Sequence, residues 1–382
     1  MLAELTAVVA APWLWDAAVR LLLAYKAGRA LSDRTGETVP ESWLVLVPAR
    51  AEGAAVEPTL RSVATAAAGA RVETVLLLDG PDPAAQEVAV ALGVTILVKE
   101  PAGPTKGAAL AWAVQALGER LDRVDAVLVL DVGSRLPAGF FAQFAWPRGA
   151  DAAQTLLRGE GGGVGKAAAL SESAAQLWQD RGREALGWAV RLRGTGTVYR
   201  PAALRSVAGR LVTAIEDTEA TLLLASHGGT LALGPADLSV TDVKPEAFGD
   251  AARQRSRWLA GQIALLLRRP GTLLRLVARR PLEGLAFAAE LASRPLSVTG
   301  ALRLLLGGGW LAWAANHGWS GLATTLGALL LASVAGDALL LRLASRSSWP
   351  HLAVAAAAMV FPWLAAAALL PRALLGWMRG RK

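Results

Sequence analysis

The chain has 382 residues, a formal net charge of +8, 54% hydrophobic and 18% charged residues, and no cysteine. That balance is too apolar for an ordinary soluble enzyme, and the missing thiols exclude disulfides, Cys-ligated zinc and a cysteine nucleophile. His227, His317 and His351 are too scattered to suggest a metal cluster. The basic residues gather beside apolar segments: Lys26, Arg29 and Arg34; Arg268, Arg269, Arg275, Arg279 and Arg280; Arg372, Arg379, Arg381 and Lys382. This placement fits an anionic lipid surface and the positive-inside bias, not a nucleic-acid groove.

In chain order, residues 1–30 read as a membrane anchor. The apolar stretch 3–25 lacks the basic start and the small-residue cleavage site of a signal peptide. Asp16 and Arg20 inside it stand at i,i+4, so they are expected to pair on a helix packed against other helices. From Trp43 onward, short apolar runs alternate with amphipathic stretches, the mark of βαβ units. Strands are predicted at 43–47, 73–79, 94–98, 125–131 and 230–234, and helices at 54–67, 83–92, 107–119, 168–190, 218–227 and 246–268. Residues 40–265 thus form one α/β domain.

Residues 266–297 read as basic interfacial helices, with arginines interleaved among Leu and Val; the stretch 283–297 is ambiguous between interface and membrane. Residues 298–382 carry apolar stretches at 298–316, 319–341 and 350–371, each near spanning length, for three or four transmembrane helices. With three, a cytosolic domain would leave the basic C-terminus outside, against the charge rule.

Two of the buried strands end in aspartate, Asp79 and Asp131, where open α/β sheets place ligand chemistry. A third acidic position, Glu216-Asp217, opens a predicted helix, where carboxylates are also common as caps. Gln254, Arg257 and Trp258 fall at i, i+3 and i+4, on one helical face. Arg257 offers a two-pronged donor for pyrophosphate, Trp258 a flat apolar platform and Gln254 a hydrogen-bonding amide. The bland alternative is a Trp packed into the core beside a surface Arg. Lys106, at a helix start, is placed either to approach phosphate or simply to be solvated. Gly161-Gly162-Gly163-Val164-Gly165-Lys166 fails the P-loop spacing, with Glu160 and Ala167 at key positions, and reads as a flexible loop or lid.

Together these segments resemble the membrane-associated family 2 glycosyltransferases, the group of cellulose, hyaluronan and ceramide-glucoside synthases. The resemblance runs from about Leu44 to Ala260, and Gln254-x-x-Arg257-Trp258 is its most specific part. It implies an α/β GT-A nucleotide-diphospho-sugar transferase domain held between N- and C-terminal transmembrane helices, in a multi-pass protein of the inner cell membrane with its catalytic domain cytoplasmic. It further implies an inverting transfer from a nucleotide-sugar donor, a UDP-sugar by preference, to a lipid or membrane-bound acceptor. A processive polysaccharide synthase and a catalytically silent sugar-nucleotide-binding protein stand as alternatives.

In that family Asp79 would contact the nucleobase and ribose, Glu52 and Lys106 would contact the donor, and Asp217, beside Glu216, would be the general base. Gln254, Arg257 and Trp258 would serve the pyrophosphate and acceptor, and Gly194-Thr195-Gly196 would border the acceptor region. Asp131 would hold Mg²⁺ or Mn²⁺ against the diphosphate. Two departures stand out: Ala51 replaces the usual Asn, and Gly133 replaces the second aspartate of Asp-x-Asp, thinning the metal ligands to Asp131. The ceramide-glucosyltransferase branch resembles Asp-x-Gly at the same place.

Overall fold

The computed structural model describes residues 2–28, 38–245, 247–317 and 321–345, with isolated helical positions at 365 and 368. The stretch 350–371 and the basic C-terminus predicted above lie essentially outside the described residues.

After helix α1 (Leu2–Ala27), the central sheet begins with β1 (Ser42–Ala49). Trp43 to Val47 are all within 1% of complete burial, because both faces of this strand are covered. Alternation then sorts the side chains. Leu44 and Leu46 join one core layer with Leu110, Leu204 and Leu223, while Trp43, Val45 and Val47 join the other with Leu60 and Phe141. On that second side Trp43 meets Phe140, Phe141 and Phe144 edge-on, at centroid distances of 6.0, 5.1 and 5.3 Å.

Alternating strands and helices follow: α2 (Glu57–Ala66), β2 (Arg71–Asp79), α3 (Pro83–Ala91), β3 (Thr95–Lys99), α4 (Lys106–Leu117) and β4 (Ala126–Val129). The next elements are β5 (Ser134–Arg135), α5 (Phe140–Gln143), β6 (Ala152–Gln154), β7 (Leu156–Glu160), α6 (Gly163–Ala174), α7 (Arg181–Ala185), β8 (Thr197–Tyr199) and α8 (Pro201–Ala208). The domain closes with α9 (Glu216–Ser226), β9 (Leu231–Leu233), β10 (Ser239–Val243) and α10 (Phe248–Arg268).

The main sheet has the order β3-β2-β1-β4-β8-β6-β9, and β5, β10 and β7 form a small second sheet. Strands β1 to β4 are mutually parallel, as the βαβ pattern requires, whereas β8 runs antiparallel to both β4 and β6.

The five predicted strands are present, but β5, β6, β7, β8 and β10 were not predicted. Each is 2 to 5 residues long, too short to display a period, and tertiary pairing makes them strands. The predicted helix 168–190 is also corrected. α6 starts at Gly163, continues through a π-helical turn over Ala175–Asp180 into α7, and ends at Ala185. The expected loop or lid at 161–166 is therefore largely the first turn of α6. Its glycines serve packing: a Cβ at Gly161 would meet the Lys244 carbonyl oxygen at 3.1 Å, and one at Gly165 would meet the Lys244 side chain at 3.2 Å.

Helices α11 (Pro270–Arg279), α12 (Pro281–Ser293), α13 (Leu296–His317) and α14 (Gly321–Ser345) complete the described chain. Leu2–Ala27, Val298–His317 and Gly321–Ala344 are long and apolar enough to cross a membrane. α11 buries Leu276 toward the domain and leaves Leu274 at 68% exposure, the two-faced pattern expected of an interfacial helix. α12 lies against α1, and its Glu283, 1% exposed, accepts from the Ala189 amide at 2.8 Å. The ambiguous stretch is thus a helix docked on the domain.

α1 packs against α7, α12 and α14. The expected Asp16–Arg20 pair forms, and Arg20 also makes a two-pronged contact with Asp337 of α14, both bonds 2.9 Å. α13 and α14 approach at small residues, where a Cβ on Gly327 would come within 2.9 Å of the Gly307 carbonyl oxygen.

A Cβ on Gly182 would lie 2.1 Å from the Leu23 carbonyl oxygen, so α1 and α7 touch through that glycine. Gly182→Ala should therefore cost roughly 1–3 kcal/mol, the usual penalty of overpacking, read as a lower thermal midpoint of the detergent-purified protein. The opposite sign is expected at Ala51. Its φ of +54° lies in the left-handed region, which costs a side chain bearing a Cβ about 1–2 kcal/mol and suits Asn better. Ala51→Asn should raise the same midpoint.

Candidate active site

The site is built beyond the carboxyl end of β4, around the amino group of Lys106. Thr105 caps α4 by accepting from the Ala108 amide at 3.1 Å, which fixes Lys106 at the first helical position. Its Nζ donates to Asp131 Oδ1 at 2.5 Å and to the Gly194 carbonyl at 2.9 Å, and lies 3.1 Å from Glu216 Oε1. Burial alone would lower the Lys106 pKa, but the two carboxylates override it and hold the ammonium well above its ordinary value. Of the two readings of Lys106, the solvated one does not hold.

Asp131 follows β4. Its backbone N–H donates to Thr195 Oγ1 at 3.0 Å, and its side chain stays 40% exposed to the space above the sheet. Burial, together with Glu216 and Asp242, raises its pKa despite Lys106. Gly133 takes φ +90° and donates its N–H to Thr59 Oγ1 at 2.9 Å. An aspartate there would be strained in this backbone, which gives the Asp-x-Gly departure a conformational basis.

Glu216 and Asp217 occupy the first turn of α9. Asp217 Oδ1 accepts from the Thr218 N–H at 2.6 Å. Burial and the neighbouring Glu216 charge push Asp217 up to about 7, against the Thr218 hydrogen bond and Lys106. Its carboxylate is therefore basic enough to accept a proton near neutral pH.

The turn opposite is held by Gln154, which is fully buried. Its amide nitrogen donates to the Thr195 carbonyl at 2.9 Å, and its oxygen accepts from the Arg193 amide at 2.8 Å and the Thr197 hydroxyl at 2.9 Å. This clamp sets Gly194, at φ +79°, against the carboxylates: a Cβ there would lie 3.5 Å from Glu216 Oε1 and 3.6 Å from Asp217 Oδ2. The sequence flagged Gly194 but missed Gln154, because a lone polar residue in a three-residue strand carries no pattern.

A cavity of about 1150 Å³ unites Lys106, Asp131, Glu216 and Asp217 with Gln254, Arg257 and Trp258. The last three share one face of α10 as their spacing predicts. Trp258 is 41% exposed, so the reading of a core Trp is overturned. Asp242 and Lys244 also line the cavity; Asp242, opposite Ser134 in the small sheet, was hidden in a strand that was not predicted.

Asp79 and Glu52 are not brought to this cavity wall. Asp79 is 6% exposed, with Oδ1 accepting from the Gly103 N–H at 2.5 Å and Oδ2 from Arg50 Nη1 at 3.3 Å. It pins the loop that leads to Lys106. Glu52 is pushed above the ordinary carboxylate value by burial and by Asp82, with Arg257 opposing.

Among the described residues no group of three His, Cys, Asp or Glu side chains could hold a metal ion. The donor set instead fits the mode in which one or two carboxylates share the cation with substrate phosphate oxygens. Asp131 faces the cavity, and Asp242 lies close enough to act on its charge.

The model of glycosyl transferase family group 2 matches residues 126–371, well over half of the chain. The chain belongs to that family. The transferase is also similar in structure to a mannosyltransferase from Pyrobaculum calidifontis, solved with GDP-Man and Mn²⁺. The TM-score is 0.56 at 16% identity, covering 97% of this chain and 99% of that one. A further similar structure is glucosyl-3-phosphoglycerate synthase from Mycobacterium tuberculosis, with Mn²⁺, UDP-glucose and phosphoglyceric acid. Here the TM-score is 0.41 at 21% identity, over 62% of this chain and 86% of that one. No curated protein matches the chain. The α/β domain is thus a GT-A fold with candidate membrane-spanning helices on either side, as expected.

With Asp217 at about 7, a reaction that needs its ionised form should lose rate as pH falls below that value. The sign for stability is opposite. The raised pKa means that the folded state holds an extra proton above the unfolded carboxyl's range, so this group's contribution weakens as pH rises from about 4 toward 7. A pH profile of kcat/KM should show an acidic limb near 7 that disappears in Asp217→Asn.

Proposed function

We propose that the transferase moves a sugar, with inversion, from a nucleotide-diphosphate donor to the hydroxyl of a lipid or membrane-bound acceptor. The observation that carries this reading is the single cavity. It joins an acidic base candidate, a cationic end and an aromatic platform, and it continues to Leu304 and Leu341 of the candidate spanning helices.

In this mechanism the acceptor oxygen attacks the anomeric carbon from the face opposite the leaving group. The new carbon–oxygen bond forms as the anomeric carbon–phosphate oxygen bond breaks. The hydroxyl proton passes to an Asp217 carboxylate oxygen, and the nucleoside diphosphate departs with the bonding pair. Lys106, held by Asp131 and Glu216, and Arg257 on α10 supply fixed positive charge where negative charge develops. A divalent cation, held by Asp131 with Asp242 as a second carboxylate, would add charge neutralisation at the diphosphate. Trp258 offers its face to the acceptor or sugar, and Gln254 hydrogen-bonds a hydroxyl or phosphate oxygen. Gly194 keeps the floor clear for the attacking group.

The exposed leucines of α11 and the spanning helices keep the cavity at the membrane surface, which favours a lipid acceptor over a soluble one. A processive synthase would share the site and differ in product length.

The test is nucleoside diphosphate release by the detergent-purified protein with a panel of UDP- and GDP-sugars, membrane lipid, and Mg²⁺ or Mn²⁺. One donor should give lipid-dependent release, with one sugar added per lipid. Asp217→Asn should lower that rate by about 10² or more while donor affinity holds. Equal loss of donor binding, or release indifferent to every donor, would reject the proposed role of Asp217 or the transfer itself.

A further inference from the structure

Away from Lys106, the same cavity has a second charged wall centred on Glu290 of α12. Its Oε2 accepts from Arg183 Nη2 at 2.7 Å and from Arg191 Nη2 at 2.6 Å and Nε at 3.1 Å. Its Oε1 accepts from Arg294 Nη2 at 3.1 Å. Three guanidinium groups surround one carboxylate, an excess of two positive charges. The neighbouring ions offset it only in part: Arg193 faces Asp180 and also feels Glu172, which shares Lys244 with Asp242, while Arg20 and Arg303 are matched by Asp16 and Asp337.

Such an excess is costly in a partly dry pocket unless an anion completes it. Arg191 carries the mark of a missing partner. It lines the cavity at 7% exposure, and its Nη1 is enclosed by protein without a hydrogen-bond partner, so an anion in the cavity would meet the charge of Arg191 and not that nitrogen. Its guanidinium carbon stands 3.4 Å from the Phe287 ring centroid, so the group is held in place. Burial pushes its pKa down to about 10 despite Glu290, the direction expected of a cation short of counter-charge. Arg294 also faces the cavity and is 27% exposed.

The location narrows the ligand. Arg191 lies three residues before Gly194, hence within about 10 Å of the turn that meets Asp217, from the reach of an extended chain. Arg294 lies two residues before α13, and beyond it the cavity wall combines the Arg20, Arg303 and Asp337 ion cluster with apolar residues such as Leu304 and Leu341. An anion here would share the cavity with the proposed base and with residues of the candidate spanning helices.

We infer that Arg191 and Arg294 bind the phosphate of a phosphate-bearing lipid acceptor, whose tail lies along α13 and α14 and whose headgroup hydroxyl points to Asp217. This rests on the transferase reading for the direction of the headgroup; the anion site itself does not. A phosphate supplies up to two negative charges and matches guanidinium geometry. Glu290 orders the arginines without neutralising them.

The test measures lipid retention and transfer separately. The protein in polyoxyethylene detergent is offered phosphatidylinositol, a polyprenyl monophosphate, or diacylglycerol. Bound lipid is weighed by native mass spectrometry, and donor affinity is measured by calorimetry. Phosphatidylinositol should be retained over diacylglycerol and displaced by inorganic phosphate. Arg294→Gln should weaken its retention by about ten-fold or more, Arg294→Lys should restore part of it, and the donor Kd should stay within about two-fold. Arg191→Gln should act in the same direction if it folds; Arg294, the more exposed residue, decides the outcome if it does not.

Retention of the monophosphate alone would keep the anion site but overturn the hydroxyl-bearing acceptor, because that lipid has no headgroup hydroxyl apart from its phosphate. Equal retention of diacylglycerol, or retention unchanged in Arg294→Gln, would overturn the site. If sugar transfer to diacylglycerol persisted in that case, the transferase reading would stand without it. Arginine-dependent retention with no transfer from any donor would keep the site and remove the transferase reading.

Discussion

The interaction on which the rest depends is the three-way grip on Lys106. Its ammonium ties the end of β4, through Asp131, to the start of α9, through Glu216, and to the 193–197 turn, through the Gly194 carbonyl. Those segments are far apart in sequence and meet only because the parallel strands deliver their carboxyl ends to one edge. Two carboxylates packed beside a third would repel; the buried cation makes their crowding tolerable, while Asp131 and Asp217 are still pushed toward the neutral form. Structure and proton affinity come from the same contact.

Around this centre, fixed backbone does the shaping. Gln154 uses both ends of its amide to hold the glycine turn. Gly133 and Gly194 occupy positive φ values that glycine adopts without strain, and Gly194 lines the cavity beside the carboxylates. Asp79 is spent on the loop before α4. Rigid positioning of this kind is what lets dipoles and charges stabilise a transition state without reorganising.

Much of this was legible in the sequence. Continuous apolar runs of four or more residues announced β1, β2 and β4, and of the aspartates that follow the last two runs the structure brings Asp131 to the cavity. The i, i+3, i+4 spacing placed Gln254, Arg257 and Trp258 on one face, and the structure lines the cavity with all three. What was not legible shares a cause: it is set by contacts between distant segments. Strands such as β6 and β10 are too short to carry a period, so Gln154 and Asp242 went unnoticed. The cluster of Arg183, Arg191, Arg294 and Glu290 draws on α7, the segment before Gly194 and α12; in the sequence its members look like ordinary surface charges. The glycine run at 161–166 misled because close helix–strand packing and loop flexibility both favour glycine.

The pairing of Arg20 has a consequence for how the chain is made. Its outer partner, Asp337, lies 317 residues further along, so at ordinary synthesis rates it emerges roughly 15–60 s after Arg20 does. As a candidate membrane span, the first helix would pass that interval without Asp337 beside its guanidinium. Asp16, one turn back on the same helix, is the only partner available from the outset among the described residues. It lets the segment insert as a neutral pair before α14 arrives to complete the triad. The arrangement also makes the last described helix a clasp: α7 and α12 can hold the N-terminal helix first, and α14 then adds the ion pair with Asp337 and its part of the cavity lining.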